Sequence, residues 1–115
     1  MKIYNMQVTC AGYYFMGHYK MAPLRIVLEG GSIVVEVNPK MQDLFDDLGE
    51  LFRVFDIDSE DEKYLQDIEG KYCRVIFSED RRVKALQHIT QDNIIWYVNK
   101  GDTPEWILDN LIFMN

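Results

Sequence analysis

The chain has 115 residues, 48% hydrophobic, 13% aromatic and 27% charged, which suits one globular domain that buries its own core and excludes a disordered segment. Its 12 Lys+Arg against 19 Asp+Glu give a net charge of -7, and eleven acids against two bases, Arg53 and Lys63, crowd residues 43–69. Such a field repels nucleic-acid phosphates and anionic lipid and attracts basic surfaces, including those that grip nucleic acid.

Residues 2–10 read as a strand, with Tyr4, Met6, Val8 and Cys10 on one side and Asn5, Gln7 and Thr9 on the other. The aromatic stretch 13–21, with Tyr13, Tyr14 and Tyr19, fits a second strand or a packed loop. Two β-branched runs, 24–29 and 32–37, flank Gly30-Gly31. Tight two-residue turns need positive φ, which glycine adopts without strain, so this pattern predicts a hairpin.

Apolar residues at Met41, Leu44, Phe45, Leu48, Leu51, Phe52 and Phe55 recur at helical spacing, and Asn38 and Pro39 suit the cap and first position of a helix over 39–55. Asp43, Asp46, Asp47 and Glu50 fall on its opposite side. Ser59 to Glu62 has the spacing of a capping box, predicting a two-turn helix closed by Gly70. Residues 71–77 and 82–89 read as a second hairpin around a polar turn, 94–98 as a further strand, and Thr103-Pro104 as the start of a helix over 104–114. No internal repeat or linker divides the chain.

Cys10 and Cys73 stand in strand contexts with no metal or redox spacing, as half-buried reduced thiols do. The N-terminus lacks the regions of a signal peptide and no apolar run has membrane-spanning length, so a reducing cytoplasm is the expected compartment. Asp56, Asp58, Glu60 and Asp61 resemble the start of a calcium loop. That motif needs a glycine sixth and a glutamate twelfth, where this chain has Asp61 and Asp67. A solvated helix start explains them better, and no metal is expected. His18 and His88 lie in different strands with no acid or cysteine at ligand spacing, and no phosphate loop or nucleophile motif is present. No catalytic residue and no cofactor is expected. The tyrosines suit core packing or a protein contact better than base stacking, since few Lys or Arg interleave them.

Leu65 to Phe77 and Val83 to Ile89 run as a short helix, a G-K-Y-x-R-V strand, an acidic turn and a strand ending in H-I. This pattern resembles small accessory proteins of phages and prophages of Gram-positive bacteria, over about a quarter of the chain. The resemblance implies a setting in which small acidic inhibitors of host defence nucleases, anti-CRISPR proteins included, occur.

The sequence thus predicts an α+β domain, an antiparallel sheet of about five to six strands covered by the 39–55 helix and the C-terminal helix. Its expected function is non-enzymatic: binding a basic, nucleic-acid-gripping protein surface through Asp43, Asp46, Asp47, Glu50, Asp56, Asp58, Glu60, Asp61 and Glu62. Two alternatives stay open. One is direct nucleic-acid or nucleotide binding through Arg74, Arg81, Arg82 and Lys84. The other is a small enzyme, for which a pocket joining His18 or His88 to a carboxylate is the sign.

Overall fold

A computed structural model describes residues 2–13, 24–37 and 41–98, the side chains at 13, 41–47 and 62 excepted. Six strands lie within them: β1 (Lys2–Tyr13), β2 (Leu24–Gly30), β3 (Ile33–Val37), β4 (Tyr72–Phe77), β5 (Val83–Gln87) and β6 (Ile95–Tyr97). One α-helix, α1 (Met41–Val54), and a 3-10 helix, Glu62–Ile68, lie between β3 and β4. The strands form one antiparallel sheet in the order β3-β2-β1-β4-β5-β6, so the fold is a mostly-sheet α+β domain. The expected helix over 104–114, the residues 14–21 of the aromatic stretch, and the cap at Asn38-Pro39 fall outside the described residues.

β1 is a step at the centre of the sheet. Its later part, Gln7 to Tyr13, pairs with β2, while Lys2 to Gln7 pairs with β4. Each part therefore meets a different strand, and each has a second edge to satisfy. For the later part, the segment before β4 supplies the bonds. Val8 N–H donates to Lys71 O at 2.9 Å, Gly70 N–H donates to Val8 O at 2.7 Å, and Ala11 N–H donates to the Glu69 carboxylate at 3.0 Å. Among the described residues Lys2 to Asn5 pair with one strand, β4, and the turn after β2 lies against Asn5 O.

The predicted hairpin is present, with Gly31 at φ 59° in the turn. A side chain on Gly30 would meet Asn5 O at 2.8 Å, so the tip also presses against β1. The β4–β5 hairpin and β6 follow the predicted runs, trimmed by a residue or two at their ends.

One buried cluster unites Met6, Val8, Ile26, Leu28, Val75 and Leu86 of the sheet with Leu48, Leu51, Phe52 and Phe55 at the end of α1 and with Leu65 and Ile68 of the 3-10 helix. The heptad-like spacing of the sequence places these α1 residues on one side. Their burial stabilises the fold by roughly 1.5–3 kcal/mol per large side chain. A second, smaller cluster of Ile3, Ile76, Ala85, Ile95 and Tyr97 forms apart from it.

Two expectations need correction. Strict alternation put Cys10 beside Met6 and Val8, but β1 slips register between Val8 and Cys10. That irregularity shifts the period by one, so Cys10 is exposed and Ala11 takes the buried position. Cys73 is fully buried, so neither thiol is the half-buried one expected. The second helix is a 3-10 helix of seven residues capped by Asp61, not an α-helix begun by Ser59. Asp61 accepts from Lys63 N–H at 3.0 Å, and Ser59 Oγ instead accepts from Asp61 N–H at 3.0 Å. Aspartate caps as well as serine, and the later of two competent caps holds the helix.

Candidate functional site

The end of α1 organises the acidic region. Asp56 N–H donates to Arg53 O at 3.2 Å and Ile57 N–H donates to Phe52 O at 3.0 Å, the paired bonds that close a helix when the residue between them turns left-handed. That residue is Asp56, at φ 61°, where glycine is usual. Its carboxylate reaches Nε2 of His88 at 2.7 Å. The imidazole is buried, and its Nδ1 accepts from Thr90 N–H and Gln91 N–H, each at 3.1 Å. Since Nδ1 accepts twice, the ring proton sits on Nε2 and is donated to Asp56.

This contact joins residues 32 apart in sequence, which the spacing of acids around His88 did not reveal. The one signal was an aspartate where a closing helix commonly has glycine. A histidine beside a carboxylate is the expected sign of an enzyme, yet both ring nitrogens are occupied, so neither offers a lone pair to a substrate. His88 fastens the loop after β5 to the end of α1.

Beyond Asp56 the chain turns back along α1. A side chain on Gly49 would meet Glu60 Cγ at 2.8 Å, so the missing Cβ lets Glu60 lie against the helix. Glu50, Asp58 and Glu60 thereby line one concavity of about 460 Å3 with Gly49, Ser59 and Arg53, the one cation among its described lining residues. Asp56 and Asp58 line an adjoining depression of about 300 Å3 with Arg53, Ile57 and Ile94.

Among the described acids of the run, Asp61 has a lysine partner, Lys63 at 3.7 Å, with both groups more than half exposed. Such a pair is worth at most about 1 kcal/mol and does not remove the local field. Asp56 has the neutral His88. The side chains of Asp43, Asp46, Asp47 and Glu62 lie outside those described.

The four cations singled out beside them do not form a stripe. Arg74 bonds Asp92 and reaches Gln87 at 3.4 Å, while Arg82 sits 3.5 Å from Asp80. Lys84 is half-buried. Arg81 occupies the β4–β5 turn at φ 67° and lines a different cleft, with Lys2 and Tyr4.

Among the described residues no cluster of three or more His, Cys, Asp or Glu could hold a metal ion, and no helix is long and apolar enough to cross a membrane. No protein-family model, curated protein or solved structure matches the chain.

Proposed function

We propose that the chain is a non-enzymatic acidic interaction protein that binds a basic protein surface through the second half of α1 and the connector that follows it. The observation that carries this reading is the convergence of Glu50, Asp58 and Glu60 on one concavity in which Arg53 is the one cation among the described lining residues. Carboxylates held on a helix and a packed connector keep fixed spacings, and fixed spacings can match a groove built for phosphates. In this reading α1 lies over the sheet, Asp43, Asp46, Asp47 and Glu62 extend the acidic surface, and the helix expected at 104–114 belongs to the same covering layer. The setting implied by the phage-protein resemblance makes the target a host nucleic-acid effector and the chain its inhibitor.

The test is capture from bacterial lysate, with and without nuclease treatment, at low and raised salt, followed by a nucleic-acid binding assay on the captured protein. The expected result is one basic protein whose nucleic-acid binding is blocked and whose capture weakens as salt shortens the screening length below ~8 Å. Gly49→Ala is the informative variant. Alanine favours the helix by roughly 1 kcal/mol over glycine while pushing Glu60 off its seat, so it should stay folded and lose affinity. Recovery of nucleic acid without protein, or capture indifferent to both salt and an Asp58→Lys, Glu60→Lys double variant, overturns the reading.

A further inference from the structure

The loop between β5 and β6 is folded around one side chain. His88 N–H donates to Ile94 O at 2.9 Å, and Ile94 N–H donates to Gln91 O at 3.3 Å. Inside that frame Thr90 N–H and Gln91 N–H both end on Nδ1 of His88, each at 3.1 Å. Both bonds use the lone pair of a neutral ring. Asp92 is held separately, since Arg74 bonds its carboxylate and Gln87 Nε2 donates to its carbonyl at 2.9 Å.

Nε2–H of the ring already meets the Asp56 carboxylate at 2.7 Å, so a second proton can go only to Nδ1. There it turns an acceptor into a donor and sets three N–H groups against one another at a buried position. Two hydrogen bonds are lost and both amides are left unmet. Asp56 attracts the charged ring, but it bonds the neutral ring as well, and its side chain is 67% exposed, so water screens the extra attraction. Arg53 and Asp58 line the same depression as Asp56, and Glu50 lines the next one with Arg53. Arg53 opposes an added positive charge and the two acids favour it, all three from exposed positions. Asp92 is answered by Arg74 of β4, and Tyr97 of β6 packs in the smaller cluster with Ile76 and Ala85.

We infer that the β5–β6 loop is an acid-released latch, closed while Nδ1 of His88 carries no proton and opened at Thr90 to Asn93 when that nitrogen takes one. The charged ring keeps its Asp56 contact, so the end of α1 holds and the opening is confined to the loop. The closed loop binds one proton fewer than the open loop. It is therefore whole above the ordinary value of an imidazole, about 6.5, and weakens as pH falls through it. Asn93 and Ile94 line depressions with Glu50, Arg53 and Asp56. Opening thus reshapes the border of the surface proposed for a basic partner, an effect that rests on that proposed function as the opening itself does not.

The experiment is amide hydrogen exchange on the full chain at about pH 7.5 and about pH 5.5, corrected for the intrinsic pH dependence of exchange. Protection at Thr90 and Gln91 should fall about tenfold between the two, the change that uptake of one proton by an ordinary imidazole produces across that range, while Val75 and Leu86 keep theirs. His88→Asn offers an amide oxygen to the same two N–H groups and cannot take the charge, so its Thr90 and Gln91 should be equally protected at both pH values. Asp92→Asn should respond as the parent does, since Asp92 is not the group that takes the proton. Four results overturn the inference: protection at Thr90 and Gln91 indifferent to pH, a loss that extends to Val75 and Leu86, a response that survives His88→Asn, or a response abolished by Asp92→Asn. The first two are read on the parent chain and decide the matter even where a substitution unfolds it.

Discussion

Asp56 and Arg81 both hold the backbone in the left-handed region without being glycine, at φ 61° and 67°. At Asp56 the conformation is answered inside the chain, since it closes α1 and aims a carboxylate at a buried histidine. At Arg81 it closes the β4–β5 hairpin, where Arg81 N–H donates to Ser78 O at 3.1 Å and Ser78 N–H to Arg82 O at 2.9 Å, while the side chain finds no carboxylate among the described residues. A non-glycine residue in this region costs on the order of 1 kcal/mol. The same local strain therefore serves a side-chain clasp between distant segments at one corner and a local hairpin turn at the other.

The largest effect that tests this contrast comes from the clasp. His88→Ala removes a buried ring and leaves Thr90 N–H and Gln91 N–H without their acceptor. A loss of about 3 kcal/mol is expected, from the cavity and the unmet donors together. It should appear as a lower urea midpoint with an unchanged slope. A loss below ~1 kcal/mol in that same comparison would mean the corner is not fastened by this residue.

Asp56 separates strain from contact. Asp56→Ala keeps the strained backbone and loses the hydrogen bond, for about 2 kcal/mol. Asp56→Gly loses the bond but relieves the strain, so its cost should fall to about 1 kcal/mol or less. Asp56→Asn retains an acceptor for Nε2–H, tolerates the left-handed region and removes a negative charge from the carboxyl end of a helix, so it should lie within ~0.5 kcal/mol of the parent. If Asn proves as harmful as Ala, the carboxylate charge and not the hydrogen bond holds the clasp.

What could be read in the sequence divides along the same line. Gly30-Gly31 between β-branched runs and the spacing of Leu48, Leu51, Phe52 and Phe55 state local rules, and the β2–β3 hairpin and α1 obey them. The sheet beyond the hairpins was legible as strands and not as an order. Nothing in residues 2–13 says that β1 is central, or that its partner changes at Gln7. The exposure of Cys10 was hidden because period-two reading assumes an unbroken strand. Of the acidic site, Glu50 was named from its side of the predicted helix, and Asp58 and Glu60 from charge density. Their convergence depends on a bare Gly49 and on the chain turning back after Asp56, both matters of tertiary approach. Arg81 was named for its charge together with Arg74 and Arg82, whose pairing with Asp92 and Asp80 only the structure reveals.

The two cysteines give a reporter for the buried side of this comparison. Burial pushes the Cys73 thiol up from 9.0 to about 12. In the unfolded chain it loses its proton near pH 9 while the folded chain still holds it, so the folded state binds more protons between pH 9 and 12. Stability is whole below that window and falls as pH rises through it, at most by ~1.4 kcal/mol per pH unit. Burial raises Tyr97 in the same direction. Cys73→Ala should flatten the alkaline slope, whatever it does to stability at neutral pH. In native protein a thiol reagent should modify exposed Cys10 quickly and Cys73 slowly, and His88→Ala should quicken Cys73 alone. Equal rates for both thiols in the parent would contradict the burial of Cys73.

The smallest effect decides whether Arg81 differs from Asp56 in kind. Arg81→Gly exchanges a strained residue for an unstrained one and removes no hydrogen bond or ion pair made by the side chain among the described residues. A gain of roughly 0.5–1 kcal/mol is expected, the reverse of the cost at Asp56→Gly, read as a raised urea midpoint. Arg81→Asn tests the cause, because asparagine adopts the left-handed region more readily than arginine and should recover part of the gain. The opposite signs of the two glycine substitutions are the essential point. One corner is strained to make a side-chain contact between distant segments, and the other only to close a local turn. A loss at Arg81→Gly comparable to that at Asp56→Gly would mean that the arginine side chain, like the aspartate, makes a contact that holds its corner.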